Sequence, residues 1–475
     1  MDGAVFLSGL FLSNMLTLLF NFARKMSYQR SREFMEKINF EDLFRKRLGT
    51  IKPGLERMKE AYEFLAMPSL SAQNILVAGT NGKGGTSGFL WSFLAHESAG
   101  LFTSPHLRSF AERMQVSKQV VCEDDLALLG GQIKASLGPL YEQLSFFEMA
   151  TLMAYKIFED RGTDFNVMEV GLGGRWDCTN IVEPSVSVVT SISRDHEEFL
   201  GSDLLGILKE KLGVSRPGVP LFWGDAGEIS QLPEARVFLK DYVEKNGIPL
   251  FSWGEHFGEE GDNFYLALEG NRDSQPFPPV LRTAPAFIKR NFVMAAAVYS
   301  YLSQKNQFSQ DWRKRLSSFP YEDESAPNSL VARFQRLTLE DNRVIFDVCH
   351  NPDGMRQVVK NIKSKEASAK TAMISILKDK KFDEILDLAK ECFSNIYLFA
   401  ISHDRGFSKS DLAMRHQDLE FFDTFSSGWA LVKERLGDEP VLICGSVLAV
   451  GQVFEEFKLD PQNFTSKDVL SGTWV

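Results

Sequence analysis

The sequence predicts an α/β protein built on two sheets, and three observations predict it. From residue 74 onward, short runs rich in β-branched residues alternate with stretches whose apolar residues recur every three or four positions, which is the pattern of βα units on a mainly parallel sheet. The stretch VAGTNGKGGTSGFL (77–90) joins the first apolar run to a helical one through a glycine-rich turn, as in a P-loop. The segment SSFPYEDESAPNS (317–329) concentrates Pro, Ser and acidic residues, and a second series of strand and helix patterns follows it. The expected organisation is an N-terminal extension and helix over 1–45, a P-loop domain with a mainly parallel sheet over 46–322, and a smaller Rossmann-like α/β domain over 330–475.

The elements follow in order. Residues 4–22 are largely apolar, but Asp2 leaves them without a basic leading region, Asn14 and Asn21 interrupt them, and no A-x-A site follows. They read as a dispensable extension rather than an anchor, and a polar helix is expected over 26–48. NILVAG (74–79), FNVMEVG (165–171) and VSVVTSI (186–192) read as buried strands, with helices over 86–99 and 146–160. Beyond the linker, VIFDVCHNP (344–352), AMISILKD (372–379), IYLFAIS (396–402) and VLICGSV (441–447) are four more strand candidates.

Composition excludes several classes of function. The chain has 475 residues, 44% of them hydrophobic, enough for two ordinary cores. A net charge of -10, with no clustered basic run, argues against a nucleic-acid partner. The five cysteines are odd in number, widely spread and free of CxxC spacing, so they suggest neither a disulfide framework nor a zinc site, and they fit a reduced, cytoplasmic protein. Small-molecule ligands, no membrane partner and a monomer are expected.

The strongest motif is the loop after the first strand. Gly79, Gly82 and Gly84 let backbone N–H groups approach phosphate oxygens, Lys83 can reach the outer phosphates, and the following helix presents its positive end. The spacing departs from G-x-x-x-x-G-K-[ST], because the first Gly lies closer to the Lys and Gly84 follows it in place of a hydroxyl. A glycine turn that merely links strand to helix would not need the lysine.

AGTNGKGGTS followed by LFTSPHLRSFAERM (101–114) resembles the folylpolyglutamate/dihydrofolate synthase family of the Mur ligase superfamily. SFFEMATLMAYKIF (145–158), EVGLGGRWDCTNIV (169–182), SRDHEEFLG (193–201), EKLGVSRPG (210–218), ARF (332–334), DVCHNP (347–352) and LKDKKF (377–382) match family blocks in the family's order. The resemblance implies a Mur-ligase-like fold and an ATP- and Mg2+-dependent ligase, with two metal sites, that joins L-glutamate to a folate or dihydropteroate carboxylate through an acyl phosphate. It further implies that Thr80, Asn81, Gly82, Lys83, Gly84, Gly85, Thr86, Asn291, Arg333 and Asp347 meet ATP. Ser104, Glu169, His196 and a carbamylated Lys211 would hold metal. Phe146, Phe147 and Glu148 would meet the pterin, and His350 and Ser446 would position glutamate. Lys83, His196, Lys211 and His350 carry the catalytic expectation.

The sequence also departs from the family. Gly85 stands where the family has Ser or Thr, leaving Thr86 as the nearby hydroxyl. Phe287 and Ile288 replace a His-Gln pair before Asn291, and Val348 and Cys349 replace a small pair. Two rival readings are another Mur-type amino-acid ligase, which should carry a separate nucleotide-sugar domain ahead of the loop, and a nucleotide-binding protein without ligase activity, which would not need Glu169, His196 and Lys211. Whether the first glutamate is added to dihydropteroate, an existing tail is extended, or both, stays open at this point.

Overall fold

The structure is a computed structural model that describes residues 37–40, 54–65, 67, 72–117, 119–268, 270–321, 327–412, 416 and 419–474. The apolar stretch 4–22, nearly all of the helix expected over 26–48, and the middle of the linker 317–329 lie outside the described residues.

Two sheets carry the site. The larger has eight strands: β1 (Gln73–Ala78), β2 (Ala99–Phe102), β3 (Met114–Val116), β4 (Gln119–Val120), β5 (Phe165–Glu169), β6 (Pro184–Val189), β7 (Leu221–Trp223) and β8 (Leu250–Ser252). Their order is β4-β3-β2-β5-β1-β6-β7-β8, parallel from β2 to β8 and antiparallel at the β2-β3-β4 edge. A small antiparallel sheet, β9 (Phe257–Glu260), β10 (Asn263–Leu266) and β11 (Asp273–Pro276), follows it. The second large sheet joins β12 (Arg333–Leu339), β13 (Asn342–Asp347), β14 (Thr371–Ile374), β15 (Asn395–Phe399), β16 (Glu420–Phe422) and β17 (Val441–Cys444) in the order β12-β13-β17-β14-β15-β16, all parallel except the β12-β13 hairpin. All seven strand candidates read from the sequence are strands here.

The strand sequences are continuously apolar because both faces are covered. In β1, Ile75 and Val77 enter one core and Leu76 and Ala78 another. The first core contains the helix Lys83–Leu94, which is apolar all round and packs on the helix Ala286–Lys305. It continues through Leu330 and Val331 to Val344, Phe346 and Ile443 of the second sheet, so apolar contact runs unbroken between the two sheets. This packing brings the loops at the carboxyl ends of β1, β5 and β6 against the start of β12 and the carboxyl end of β13, where Arg333 pairs with Asp347, and strand carboxyl ends are the usual place for a ligand crevice in open α/β sheets.

Candidate active site

The loop after β1 turns because two glycines let it. Gly79 has φ +147°, and a Cβ there would lie 2.0 Å from Thr190 Oγ1. Gly82, at φ +87°, caps the helix Lys83–Leu94, and its Cβ would meet Asn291 Oδ1 at 2.6 Å. The loop is tied to the one after β6: Thr80 N donates to Ser191 O at 2.8 Å, Asn81 N to Ser191 Oγ at 2.9 Å, and Thr190 Oγ1 to Asn81 O at 2.7 Å. The helix N-terminus is thereby held open toward a cleft of about 1050 Å³.

Two lysines converge on this loop, Lys83 half-buried and Lys211 buried. Lys83 Nζ donates to the carbonyls of Gly79 and Thr80, both at 3.0 Å, and Lys211 Nζ donates to Gly79 O at 2.8 Å. Burial lowers the pKa of each; for Lys211, with the neighbouring Lys83 charge adding to the effect, it falls to about 7. Glu169, at the end of β5, is 4% exposed and accepts Ser104 N at 2.9 Å. Burial raises its pKa, while Lys83, the Ser104 amide and Arg333 oppose the rise. A Cβ on Gly84 would sit 3.4 Å from Glu169 Oε2, so that glycine lets the helix approach the carboxylate.

The cleft collects most of the residues expected to meet nucleotide. Asn81, Gly82, Gly84, Gly85, Thr86, Asn291, Arg333 and Asp347 line it, as do His350 and the departures Phe287, Ile288 and Cys349. The buried Thr86 hydroxyl has no partner among the described residues, so it is available where Gly85 offers none. Arg333 reaches from the second sheet, and its charge acts on both Lys83 and Glu169. Its neighbours Ala332 and Phe334 both hold positive φ, +56° and +55°, an unusual pairing for non-glycine residues. Asp347 uses its oxygens on the amides of Phe334 and Cys349, at 2.9 and 2.8 Å, and so fixes the backbone around Arg333.

A second cluster, in which Asn81, His196 and His350 meet Asp195, Asn351, Asp353 and Lys380, residues given no role from the sequence, closes the seam between the sheets. Asp195 receives Lys380 Nζ at 2.7 Å and Asn351 Nδ2 at 3.0 Å, and pairs with His350 Nε2 at 3.3 Å. Burial acts to raise the Asp195 carboxyl, but the His350 hydrogen bond and the His350, Lys380 and His196 charges hold it well below the usual carboxylate range. Asn81 Nδ2 donates to Asp353 at 2.8 Å, and Asn81 and Asn351 exchange side-chain hydrogen bonds. His196 lies beside Lys380 Nζ at 3.4 Å, and burial lowers its pKa to about 4, leaving a neutral imidazole. Around these groups is a pocket of about 280 Å³ lined also by Lys378 and Lys381. Asp195, Asn351 and Lys380 fall inside the quoted blocks SRDHEEFLG, DVCHNP and LKDKKF, which was the available signal for them.

Other expected residues have local duties. Glu148 forms the capping box of the helix Phe146–Arg161, accepting Ser145 N at 2.7 Å, and its other oxygen holds Arg57 at 3.1 Å, so the carboxylate is fixed in place with one partner on each oxygen. Phe146 packs edge-on to Phe110, and Phe147 lies tilted against Phe102. Ser446 is buried and caps the helix Val447–Glu456 through Ala449 N. Among the described residues no three His, Cys, Asp or Glu side chains gather as a metal cage, and no helix is long and apolar enough to cross a membrane.

No family model matches the chain. The dihydrofolate synthase/folylpolyglutamate synthase of Escherichia coli (strain K12) is 31% identical over 413 residues, 86% of this chain and 92% of its own length. A crystal structure of a bifunctional folylpolyglutamate synthase/dihydrofolate synthase with Mn, AMPPNP and L-glutamate bound superposes with a TM-score of 0.75 at 27% identity, covering 90% of this chain and 99% of that one. For E. coli FolC in complex with DHPP and ADP the TM-score is 0.73 at 28% identity, with 88% and 96% covered. A cleft built from the P-loop of one sheet and an arginine of the other, on a chain this similar over most of its length, belongs to the dihydrofolate synthase/folylpolyglutamate synthase family.

Proposed function

We propose that the chain ligates L-glutamate to a folate or dihydropteroate carboxylate at the expense of ATP, through an acyl phosphate. The observation that carries this reading is the convergence on one cleft of the P-loop helix N-terminus, the unpartnered Thr86 hydroxyl, Asn291 and Arg333. The helix N-terminus and Lys83 would bind the phosphates, Arg333 would neutralise the γ-phosphate from the second sheet, and Asn291 would face the nucleoside. A carboxylate oxygen of the pterin substrate attacks the γ-phosphorus, the bond to ADP breaks, and the glutamate amine then displaces phosphate from the acyl carbon. His350 and the mixed-charge pocket beside Asp195, where Arg194, Lys378, Lys380 and Lys381 stand among Asp195, Glu197, Glu198 and Asp379, would receive the glutamate that donates that amine.

The metal expectation fits the donors. A buried carboxylate held by the Ser104 amide, a neutral imidazole at His196 and an amine at Lys211 make a sparse set, and Mg2+ takes few protein ligands and keeps waters and substrate phosphates. Ser104, Glu169, His196 and Lys211, the last as a carbamate, would hold it. Bound Mg2+ would screen the approaching carboxylate from the phosphates. Phe146 and Phe147 would flank the pterin. We take 46–322 and 330–475 as the two working units of a monomer, and the five free cysteines as fitting a cytoplasmic setting.

The deciding experiment offers the purified protein dihydropteroate or tetrahydrofolate with ATP, Mg2+ and labelled glutamate. Incorporation with the first, the second or both assigns dihydrofolate synthase, folylpolyglutamate synthase or dual activity. ATP consumption indifferent to folate and glutamate would overturn the reading in favour of a nucleotide-binding protein of another kind.

A further inference from the structure

Arg113 has no part in the roles assigned above. It ends the short turn Phe110–Arg113 directly beside the Ser104 loop, where its carbonyl accepts Thr103 N at 2.9 Å. The residue is 5% exposed. An arginine so buried normally spends its five N–H donors on acids or carbonyls. Here Nε donates to His106 Nδ1 at 2.8 Å, and among the described residues the two Nη nitrogens have neither a hydrogen bond nor an ion pair. The acids near it are engaged elsewhere. Glu112 accepts the amides of Leu107, Arg108 and Ser109, all at 2.8 Å, and Glu169 accepts Ser104 N.

The guanidinium is nevertheless fixed. It lies over the Phe146 ring at 5.2 Å and the Phe110 ring at 6.0 Å, and the His106 bond sets its plane. The Arg113 Nε–H can only donate, so His106 Nδ1 accepts and carries no proton in this pairing. Burial lowers the pKa of Arg113 to about 10, and it stays a cation at neutral pH. A planar cation whose two Nη nitrogens reach solvent rather than a protein partner, held beside Glu169 and the N-terminal turn of the helix Phe146–Arg161, is set to take an anion from that side.

We propose that Arg113 is a substrate-binding residue that grips, through its two Nη nitrogens, the carboxylate about to be phosphorylated. The inference rests on the ligase reading above. Three anions take part in that reaction, and position selects among them. Arg113 lines neither the nucleotide-sized cleft nor the pocket beside Asp195, which leaves the pterin-bearing acid. The Phe146 ring beside the fork offers an apolar surface to the flat group that carries this acid. A bidentate grip matches carboxylate geometry and fixes which oxygen faces the γ-phosphate.

The test compares the binding of dihydropteroate with that of its neutral carboxamide, for the wild type, Arg113→Ala and Arg113→Lys, alongside labelled-glutamate incorporation. The wild type should prefer the acid by about tenfold or more, as charge-assisted hydrogen bonds imply. Arg113→Ala should bind acid and amide alike, Arg113→Lys should fall between, and KM for ATP should not move. A purely structural arginine would weaken both ligands together and keep their ratio. An unchanged ratio in a folded variant, or no preference in the wild type, overturns the proposal. The wild-type ratio needs no variant, and Arg113→Lys retains the cation and stem if Arg113→Ala does not fold. Incorporation by the wild type with an unchanged ratio would sink the role of Arg113 alone, whereas no incorporation with any pterin acid would sink the ligase reading and this proposal with it.

Discussion

The floor beneath the P-loop, set apart from the residues that line the cleft, and the seam between the sheets are built on opposite plans. On the floor, Lys83 and Lys211 are fixed by main-chain carbonyls of the loop after β1, and Glu169 by the amide of Ser104. Everything there belongs to the first sheet. At the seam, side chain meets side chain across the chain: Asn81 with Asn351 and Asp353, and Asp195 with His350, Asn351 and Lys380. Backbone partners survive small shifts of one sheet against the other, but side-chain pairs across the seam do not. Floor substitutions should therefore damage chemistry and leave the fold alone, and seam substitutions should damage both.

The largest effect expected is at Lys83. Its ammonium is the side chain of the P-loop able to screen a transferring phosphoryl group, so Lys83→Ala should cut turnover by about 10³-fold or more with an unchanged circular dichroism spectrum. A concurrent loss of folded structure would mean that the Gly79 and Thr80 carbonyls need this lysine as much as the chemistry does.

Lys211 should rank second, and it carries a pH signature. Its pKa is about 7 when folded against 10.5 as the ordinary value, so the unfolded chain binds more protons between those limits. The cost of burying its charge is thus complete below pH 7 and is relieved as pH rises toward 10.5. In metal- and bicarbonate-free buffer the wild type should gain stability across that window more steeply than Lys211→Ala. The neutral amine present above pH 7 is also the form able to take up CO2. Turnover of Lys211→Ala should fall on the order of 10²-fold and recover in part with formate or acetate, which can supply the missing anion. Lys211→Arg should not be rescued, because it fills the space with the wrong charge.

At the seam, Asp195→Ala would leave Lys380 buried without its partner. Side-chain exposures of 9% and 7% make this a buried pair, and breaking one costs about 3 kcal/mol, so melting should shift downward together with turnover. The double variant Asp195→Ala, Lys380→Met should regain much of the stability and little of the activity. Full recovery of both would make the cluster a structural rivet with no part in the reaction.

The floor was legible in the sequence, whereas at the seam only Asn81 and His350 were, without their partners, and the reason is physical. The loop 77–90 brings its lysine, its glycines and its helix N-terminus within one short stretch, so spacing alone describes the geometry. Asn81 and Asn351 are far apart in sequence, and only the packing of the helix Ala286–Lys305 and Leu330 against the first core brings them together. Arg113 was quoted within a matching block but passed over, because nothing in SFAERM reveals that its Nη donors lack partners. Glu148 shows a duty that was readable and went unread: a carboxylate three residues after Ser145 is a capping-box signature.

The smallest effect should come from restoring a hydroxyl at Gly85. The family pattern has Ser or Thr there, and Gly85→Ser looks harmless by that comparison. In this chain a Cβ at Gly85 would lie 2.5 Å from Asn291 Nδ2 and 3.3 Å from its Cγ, so the asparagine amide occupies the space. The same side chain already sits 2.6 Å from where a Gly82 Cβ would be, and it is hemmed in on both sides. Only the end of a side chain has to move, so the helix pair Lys83–Leu94 and Ala286–Lys305 should keep its packing and melting should shift little. Asn291 would lose its place on the cleft wall, and KM for ATP should rise by roughly three- to tenfold, the worth of about one hydrogen bond, with kcat less affected. An unchanged KM would mean that Asn291 packs the loop without meeting nucleotide. A large drop in melting temperature would mean that the two helices, rather than the amide, absorb the added atoms, and the floor would then be less independent of its surroundings than its backbone partners imply.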